Sequence, residues 1–130
     1  MTHRHTLRVY YEDTDLAGIV YYANYLKFIE RARSEWVRGL GVDQGRLREE
    51  AGIVFAVRRV EADYLRPAKF DDILDVGTTP VTLGGARIVL RQEVRRGDEV
   101  LFAALVTLVC LTAAGQPARL PAEIRAALTT

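Results

Sequence analysis

Cysteine, histidine and long apolar runs are all scarce in this chain, and each scarcity removes a class of chemistry. Cys110 is the one cysteine, so neither a disulfide nor a cysteine-built zinc site can form within one chain. Its place in an apolar run marks it as a small buried thiol rather than a nucleophile. The two histidines are His3 and His5, in a terminal segment expected to be mobile. From residue 6 onward no imidazole is available for a Ser-His-Asp or Cys-His arrangement. The longest uncharged stretch, residues 100–118, holds about twelve mostly apolar residues before Gly115 and Pro117 interrupt it, short of the roughly 20 that a membrane helix needs. No membrane span is expected. One-sided charge is missing too: 18 Lys and Arg against 17 Asp and Glu leave +1, too little for a whole-chain field that would hold nucleic acid or an anionic bilayer. Nearly all the basic residues are Arg, a bias read as coding composition, although a specific phosphate pocket stays open. Residues 1–8 lack the apolar core of a secretory signal, so a cytoplasmic location is expected.

What is present fits one globular unit. The 130 residues are 49% hydrophobic and 27% charged, with no repeat, linker or low-complexity tract, and a single domain over 1–130 is expected. Residues 6–12 read as a β-branched and aromatic strand ending at the acidic cluster Glu12, Asp13 and Asp15, with Gly18 as a bend. From Asn24 to Leu40, the residues Tyr25, Phe28, Ile29, Ala32, Trp36 and Leu40 recur at helical spacing and form one apolar stripe. Arg31 and Glu35 stand four apart on the opposite face, a supporting spacing. Asp43 caps a short second helix that stops near Gly52. The period then changes to two, predicting strands at 53–65, 73–83, 86–96 and 99–112, and residues 121–128 close as a short helix. Short Gly-containing connections join antiparallel neighbours. The result is an α+β pattern, a curved sheet wrapped around one amphipathic helix. The last strand is apolar on both faces, so it is expected to be central or covered by a second copy of the chain, and a dimer or larger assembly is expected.

Chemistry without histidine points to carboxylates. Asp13 and Asp15 precede a glycine bend and the long helix, where free backbone N–H groups and the positive end of the helix dipole meet. A carboxylate beside amide donors suits acyl transfer: the amides stabilise a developing oxyanion while the carboxylate attacks the carbonyl or activates water. Thioesters suit such a site best, because a thiolate leaves without strong protonation. The alternative at this point is that either Asp only caps a turn or the helix. Metal binding by Glu12, Asp13 and Asp15 is not expected, since a calcium loop needs further oxygens and a Glu where Asn24 stands. Gly84-Gly85-Ala86-Arg87 lacks phosphate-loop spacing and reads as a turn.

The string from Arg8 to Tyr25 (RVYYEDTDLAGIVYYANY), followed by Phe28-Ile29-Glu30 and Glu35-Trp36, resembles the 4-hydroxybenzoyl-CoA thioesterase family, and within it the Tol-Pal-associated acyl-CoA thioesterase branch. Arg58-Arg59, Tyr64 to Ala68, Phe70 to Asp72 and Arg119 to Pro121 match the family as well. The resemblance implies the hotdog fold, a curved antiparallel sheet of about five strands around one long helix, in dimers or tetramers. It implies an acyl-CoA substrate and no cofactor beyond the coenzyme A that the substrate carries. Its catalytic carboxylate falls on Asp15, and the backbone amide that polarises the thioester falls on Tyr22. Asn24 and Tyr25 match too and are read as holding the loop and packing the helix, with substrate contact by Asn24 as the alternative, and Asp13 is read as loop support.

Two departures narrow what carries over. Many members of that branch have His at the position of Tyr22, so no role of the Tyr22 side chain is implied. The aromatic-substrate branch has a basic cluster where this chain has Gly84-Gly85-Ala86-Arg87, which leaves Arg87 as the coenzyme-phosphate candidate there. Arg58, Arg59 and Arg66 are candidates to supply the missing charge, with a solvated surface position as the open alternative for each. Expected overall is hydrolysis of an acyl-CoA to free acid and CoA, with Asp15 as nucleophile or general base. Two alternatives stay open: a non-catalytic acyl-CoA-binding or scaffold protein, and a hydratase or dehydratase on the same fold, against which the missing histidine argues.

Overall fold

A computed structural model describes residues 2–129. In chain order the elements are β1 (His3–Arg8), a 3-10 turn (Tyr11–Asp13), α1 (Asn24–Gly39), α2 (Gln44–Ala51), β2 (Ile53–Tyr64), β3 (Ile73–Leu83), β4 (Arg87–Arg96), β5 (Glu99–Thr112) and α3 (Ala122–Thr129). The five strands form one antiparallel sheet in the order β1-β3-β4-β5-β2. β5 is therefore interior, one of the two places expected from its two-sided apolarity, and β2 is an edge. Extra residues at Arg58, Val81 and Leu101 break the register of three strand pairs. Such bulges bend strands and raise twist, which curves the sheet around α1.

The predicted helix stripe is the core. Tyr25, Phe28, Ile29, Ala32 and Trp36 are buried against Leu74, Val76, Ile88, Leu90, Val94, Phe102 and Val106 from the sheet. Each large apolar side chain so buried contributes about 1.5–3 kcal/mol, so this face holds the helix far more firmly than its own propensity does. The second helix is capped as read: the Asp43 carboxylate accepts the Arg46 N–H at 3.1 Å, and Gly52 ends it at φ +66°. Glu35 pairs with Arg38 rather than with Arg31.

One row of β4 carries a polar residue into the core. Ile88, Leu90, Gln92 and Val94 all face inward, and Gln92 is fully buried. Its amide nitrogen donates to the Ile29 carbonyl of α1 and to Thr78 Oγ1 of β3, both at 2.9 Å, and its oxygen accepts from Arg33 Nη1 at 2.9 Å. The helix is thereby fixed along its axis as well as against the sheet. Burial lowers the Arg33 pKa, opposed by the nearby Glu30.

The first strand differs from the expectation. It spans His3–Arg8 rather than 6–12, with His3 opposite Thr78 and His5 opposite Val76, so the histidines belong to a paired strand and not to a loose terminus. The aromatic run beyond it leaves the sheet because side chains take its backbone groups. Asp13 Oδ2 accepts the Tyr10 N–H at 2.8 Å, and Thr14 Oγ1 donates to the Tyr11 carbonyl at 2.7 Å. Local side-chain bonds of this kind compete with a ladder and turn the chain. Cys110 is buried, and burial pushes its thiol pKa up, which keeps it a packing group.

Gln92→Leu is expected to lower stability by about 1–3 kcal/mol, because it strands the Thr78 hydroxyl and Arg33 without their partner. Urea denaturation followed by circular dichroism measures this. The double variant Gln92→Leu/Thr78→Val is expected to recover part of the loss, since it removes the stranded hydroxyl as well.

Candidate active site

The segment between β1 and α1 is a small hairpin. The Tyr21 N–H donates to the Asp13 carbonyl and the Asp15 N–H to the Ile19 carbonyl, both at 2.9 Å, while Thr14 pairs with Val20. The Gly18 N–H donates to the Asp15 carbonyl at 3.0 Å, and Gly18 has φ +80°. A three-residue loop of this form ends in a left-handed residue, which is why glycine stands there. The predicted bend is therefore the closing position of a hairpin whose tip is Leu16-Ala17-Gly18.

Asp15 sits at the closing pair of this hairpin and is exposed. Its Oδ1 accepts the Ala17 N–H at 2.9 Å, so the carboxylate does cap its own turn. Its second oxygen has no hydrogen-bond partner among the described residues. Asp13 is committed to the Tyr10 N–H and so supports the loop, as read. Among the described residues no three His, Cys, Asp or Glu side chains gather into a group that could hold a metal ion.

Two ties join the hairpin to the start of α1. Asn24 Nδ2 donates to the Asp13 carbonyl at 2.9 Å, which gives Asn24 the loop-holding part read for it. The Tyr21 N–H shares that carbonyl. The second hairpin arm also rests on the segment between β2 and β3: the Val20 N–H donates to the Ala68 carbonyl at 2.9 Å, and Ile19 pairs with Lys69. The buried Tyr25 fixes that segment in turn, its hydroxyl accepting the Ala68 N–H at 3.0 Å and its ring stacked on Phe102 at 5.0 Å. Burial is the main cause of the raised Tyr25 pKa.

At the helix start, donors are left open. Ala23 occupies the capping position and offers no side-chain acceptor. The amides of Tyr22 and Ala23 have no hydrogen-bond partner among the described residues, and they lie at the positive end of a 16-residue helix. The Tyr22 side chain is 62% exposed, its ring 5.0 Å from Tyr21 and 6.1 Å from Tyr64. Tyr64 Oη donates to the Tyr22 carbonyl at 3.1 Å, a contact that the sequence alone does not disclose. An open groove of about 430 Å³ runs between α1 and the β2 edge, past Leu26, Ile29, Val57 and Val60.

The arginine candidates are not gathered at the helix start of one protomer. Arg58 is the extra residue of the β2 bulge and is exposed, and Arg59 pairs with Glu61 at 2.7 Å. Arg66 pairs with Glu99 at 3.2 Å. Arg87 is exposed and lies level with Val109, which is opposite Ala56 of β2, eight residues from Tyr64. At about 3.3 Å per residue this places Arg87 roughly 25 Å along the sheet from the Tyr22 end.

Known proteins share this architecture and sequence. Residues 17–103 match the family model of the thioesterase superfamily, a stretch that begins two residues after Asp15. The chain is 42% identical over 122 residues to the acyl-CoA thioesterase YbgC of Haemophilus influenzae, covering 93% of this chain and 90% of that one. A probable thioesterase from Bartonella henselae superposes with a TM-score of 0.88 at 37% identity, over 93% of this chain and all of that one. A 1,4-dihydroxy-2-naphthoyl-CoA thioesterase from Synechocystis shares the fold at a TM-score of 0.91, with 23% identity over 99% of this chain and 96% of its own. The hotdog arrangement of sheet and central helix, the match over most of the chain and the identity to curated relatives place this protein in the thioesterase superfamily.

Proposed function

We propose that this protein is a cytoplasmic acyl-CoA thioesterase that hydrolyses an acyl-CoA to the free acid and CoA with no resident cofactor. The observation that carries the reading is the helix start: the Tyr22 and Ala23 amides stand without partners, and the hairpin that carries Asp15 is tied to that start through the Asp13 carbonyl. The thioester oxygen takes the open amides as its charge develops. In one course an Asp15 oxygen attacks the carbonyl carbon, the thiolate of CoA leaves, and water cleaves the resulting anhydride. In the other, Asp15 takes a proton from a water that attacks the same carbon, the tetrahedral species collapses with loss of the CoA thiolate, and Asp15 returns the proton to it as the thiol forms. Single turnover in heavy-oxygen water separates them, since label enters Asp15 only through the anhydride. Neither histidine is hydrogen-bonded to the segment 13–25, which disfavours a hydratase.

The acyl chain lies in the groove along α1 past Leu26, Val57 and Val60. That groove is open on the side of β2, whose edge exposes Val57, Val60 and Tyr64. A second copy pairing along β2 closes it, so the working enzyme is a dimer or a tetramer of two dimers, and the arginines that meet the coenzyme phosphates come from Arg58, Arg59 and Arg87 across the seam between subunits.

Asp15→Asn is expected to lower kcat on the order of 10²-fold or more in a thiol-release assay over short, long and aromatic acyl-CoAs. The asparagine oxygen can still accept the Ala17 N–H, so the thermal midpoint is expected to stay within about 2 °C of the parent. Retention of parental kcat on every substrate would overturn the assignment. Val60→Asp is expected to shift the protein from dimer or tetramer to monomer in light scattering after size exclusion, by setting like charges at the seam; an unchanged mass would reject the β2 pairing.

A further inference from the structure

The two open amides belong to two successive peptide units, and each unit is held at its carbonyl end. The unit carrying the Tyr22 N–H ends in the Tyr21 carbonyl, which accepts the Asn24 N–H at 2.8 Å. The unit carrying the Ala23 N–H ends in the Tyr22 carbonyl. The helix does not use that oxygen, since the Leu26 N–H goes to the Ala23 carbonyl instead at 3.2 Å. Among the described residues its partner is the hydroxyl of Tyr64, at the end of β2.

Tyr64 is built to hold that bond. It is the last residue of β2, opposite Phe102 of β5, and the next two residues both donate their N–H groups to the Leu101 carbonyl. Its ring lies 5.0 Å from Phe102, 5.6 Å from Tyr25 and 6.1 Å from Tyr22, each at a steep angle. The aim of the hydroxyl therefore follows from packed rings on a strand end rather than from a loop. Burial, with Tyr22 nearby, raises the phenol pKa, so the hydroxyl stays a donor at neutral pH. A donor on a peptide carbonyl also polarises that peptide and strengthens its N–H as a donor.

We propose that Tyr64 is a positioning residue for the thioesterase reaction: its hydroxyl locks the Tyr22–Ala23 peptide and thereby keeps the Ala23 N–H aimed at the thioester oxygen, beside the Tyr22 N–H whose own peptide the Asn24 N–H holds. This rests on the acyl-CoA thioesterase reading above. Tyr64 touches neither the carbonyl nor the attacking group and acts through the backbone. It also couples the edge strand to the helix start, so the amides and the apolar wall of the groove keep one relative placement.

The test is Tyr64→Phe, which keeps the ring contacts and removes the one hydroxyl. Expected are a fivefold to tenfold lower kcat on the best acyl-CoA and a KM within twofold of the parent. Affinity for a non-hydrolysable acyl-CoA thioether, which has no carbonyl oxygen to polarise, is expected to be unchanged, and the thermal midpoint to hold within about 2 °C. A kcat within twofold of the parent overturns the proposal, and so does a loss matched by weaker thioether binding and a lower midpoint, which is the signature of damaged packing. Parent and Asp15→Asn proteins run alongside: normal parental turnover, a large Asp15→Asn loss and an unaffected Tyr64→Phe sink the positioning role alone. Absence of thiol release from the parent sinks both readings.

Discussion

Everything at the candidate site depends on how α1 is seated. A helix is stiff along its length, so whatever fixes its buried face fixes the position of its first turn as well. Here the face is fixed twice. Tyr25, Phe28, Ile29, Ala32 and Trp36 set its distance and rotation by packing, and the Gln92 carboxamide sets its position along the axis by bonding the Ile29 carbonyl. Apolar packing alone tolerates sliding because it is non-directional. A fully buried amide that joins one helix carbonyl, one strand hydroxyl and one arginine does not, since a shift would leave polar groups unpaired at about 1–3 kcal/mol each.

With the helix so seated, its start is left in a state that stability alone would not select. The preferred capping residues are Ser, Thr, Asp and Asn, and replacing one by Ala costs about 1 kcal/mol. This helix begins with Ala23 at the cap, and the neighbouring side chains that might have served are turned elsewhere: Asn24 donates to the Asp13 carbonyl, and Asp13 accepts from Tyr10. Both polar side chains shape the hairpin and leave the helix amides open. Local rules are broken at functional sites and offset by the rest of the fold, and the surplus burial along α1 supplies the offset.

Much of this was legible in the residues because it depends on periodicity. The helix stripe, the alternation along β4 and the two-sided apolarity of β5 each reflect a single element meeting a single environment. The position of Asp15 beside a helix start followed from chain order, and its assignment from the resemblance. Where several distant elements meet, one sequence carries no pattern. Gln92 stands on an apolar row with no local sign that Ile29 and Thr78 wait opposite. Tyr64 reads as one more strand aromatic until the fold brings it to Tyr22, 42 positions earlier in the chain. The first strand was misplaced for a related reason: Tyr10 and Tyr11 have strand propensity, but the Asp13 and Thr14 side chains compete for their backbone groups and win.

The edge of the sheet ties assembly to chemistry. An edge strand that exposes Val57, Val60 and Tyr64 is the kind of surface that proteins protect with charge, bulges or a partner, because it invites pairing with another chain. β2 carries a bulge at Arg58, yet on either side of it the apolar residues still face outward over the groove. The same strand ends in the hydroxyl that holds the helix start. A partner strand laid along β2 would bury the groove wall, raise the strength of every dipole around the thioester by excluding water, and stiffen the strand end that carries Tyr64. Assembly and amide placement would then be one event.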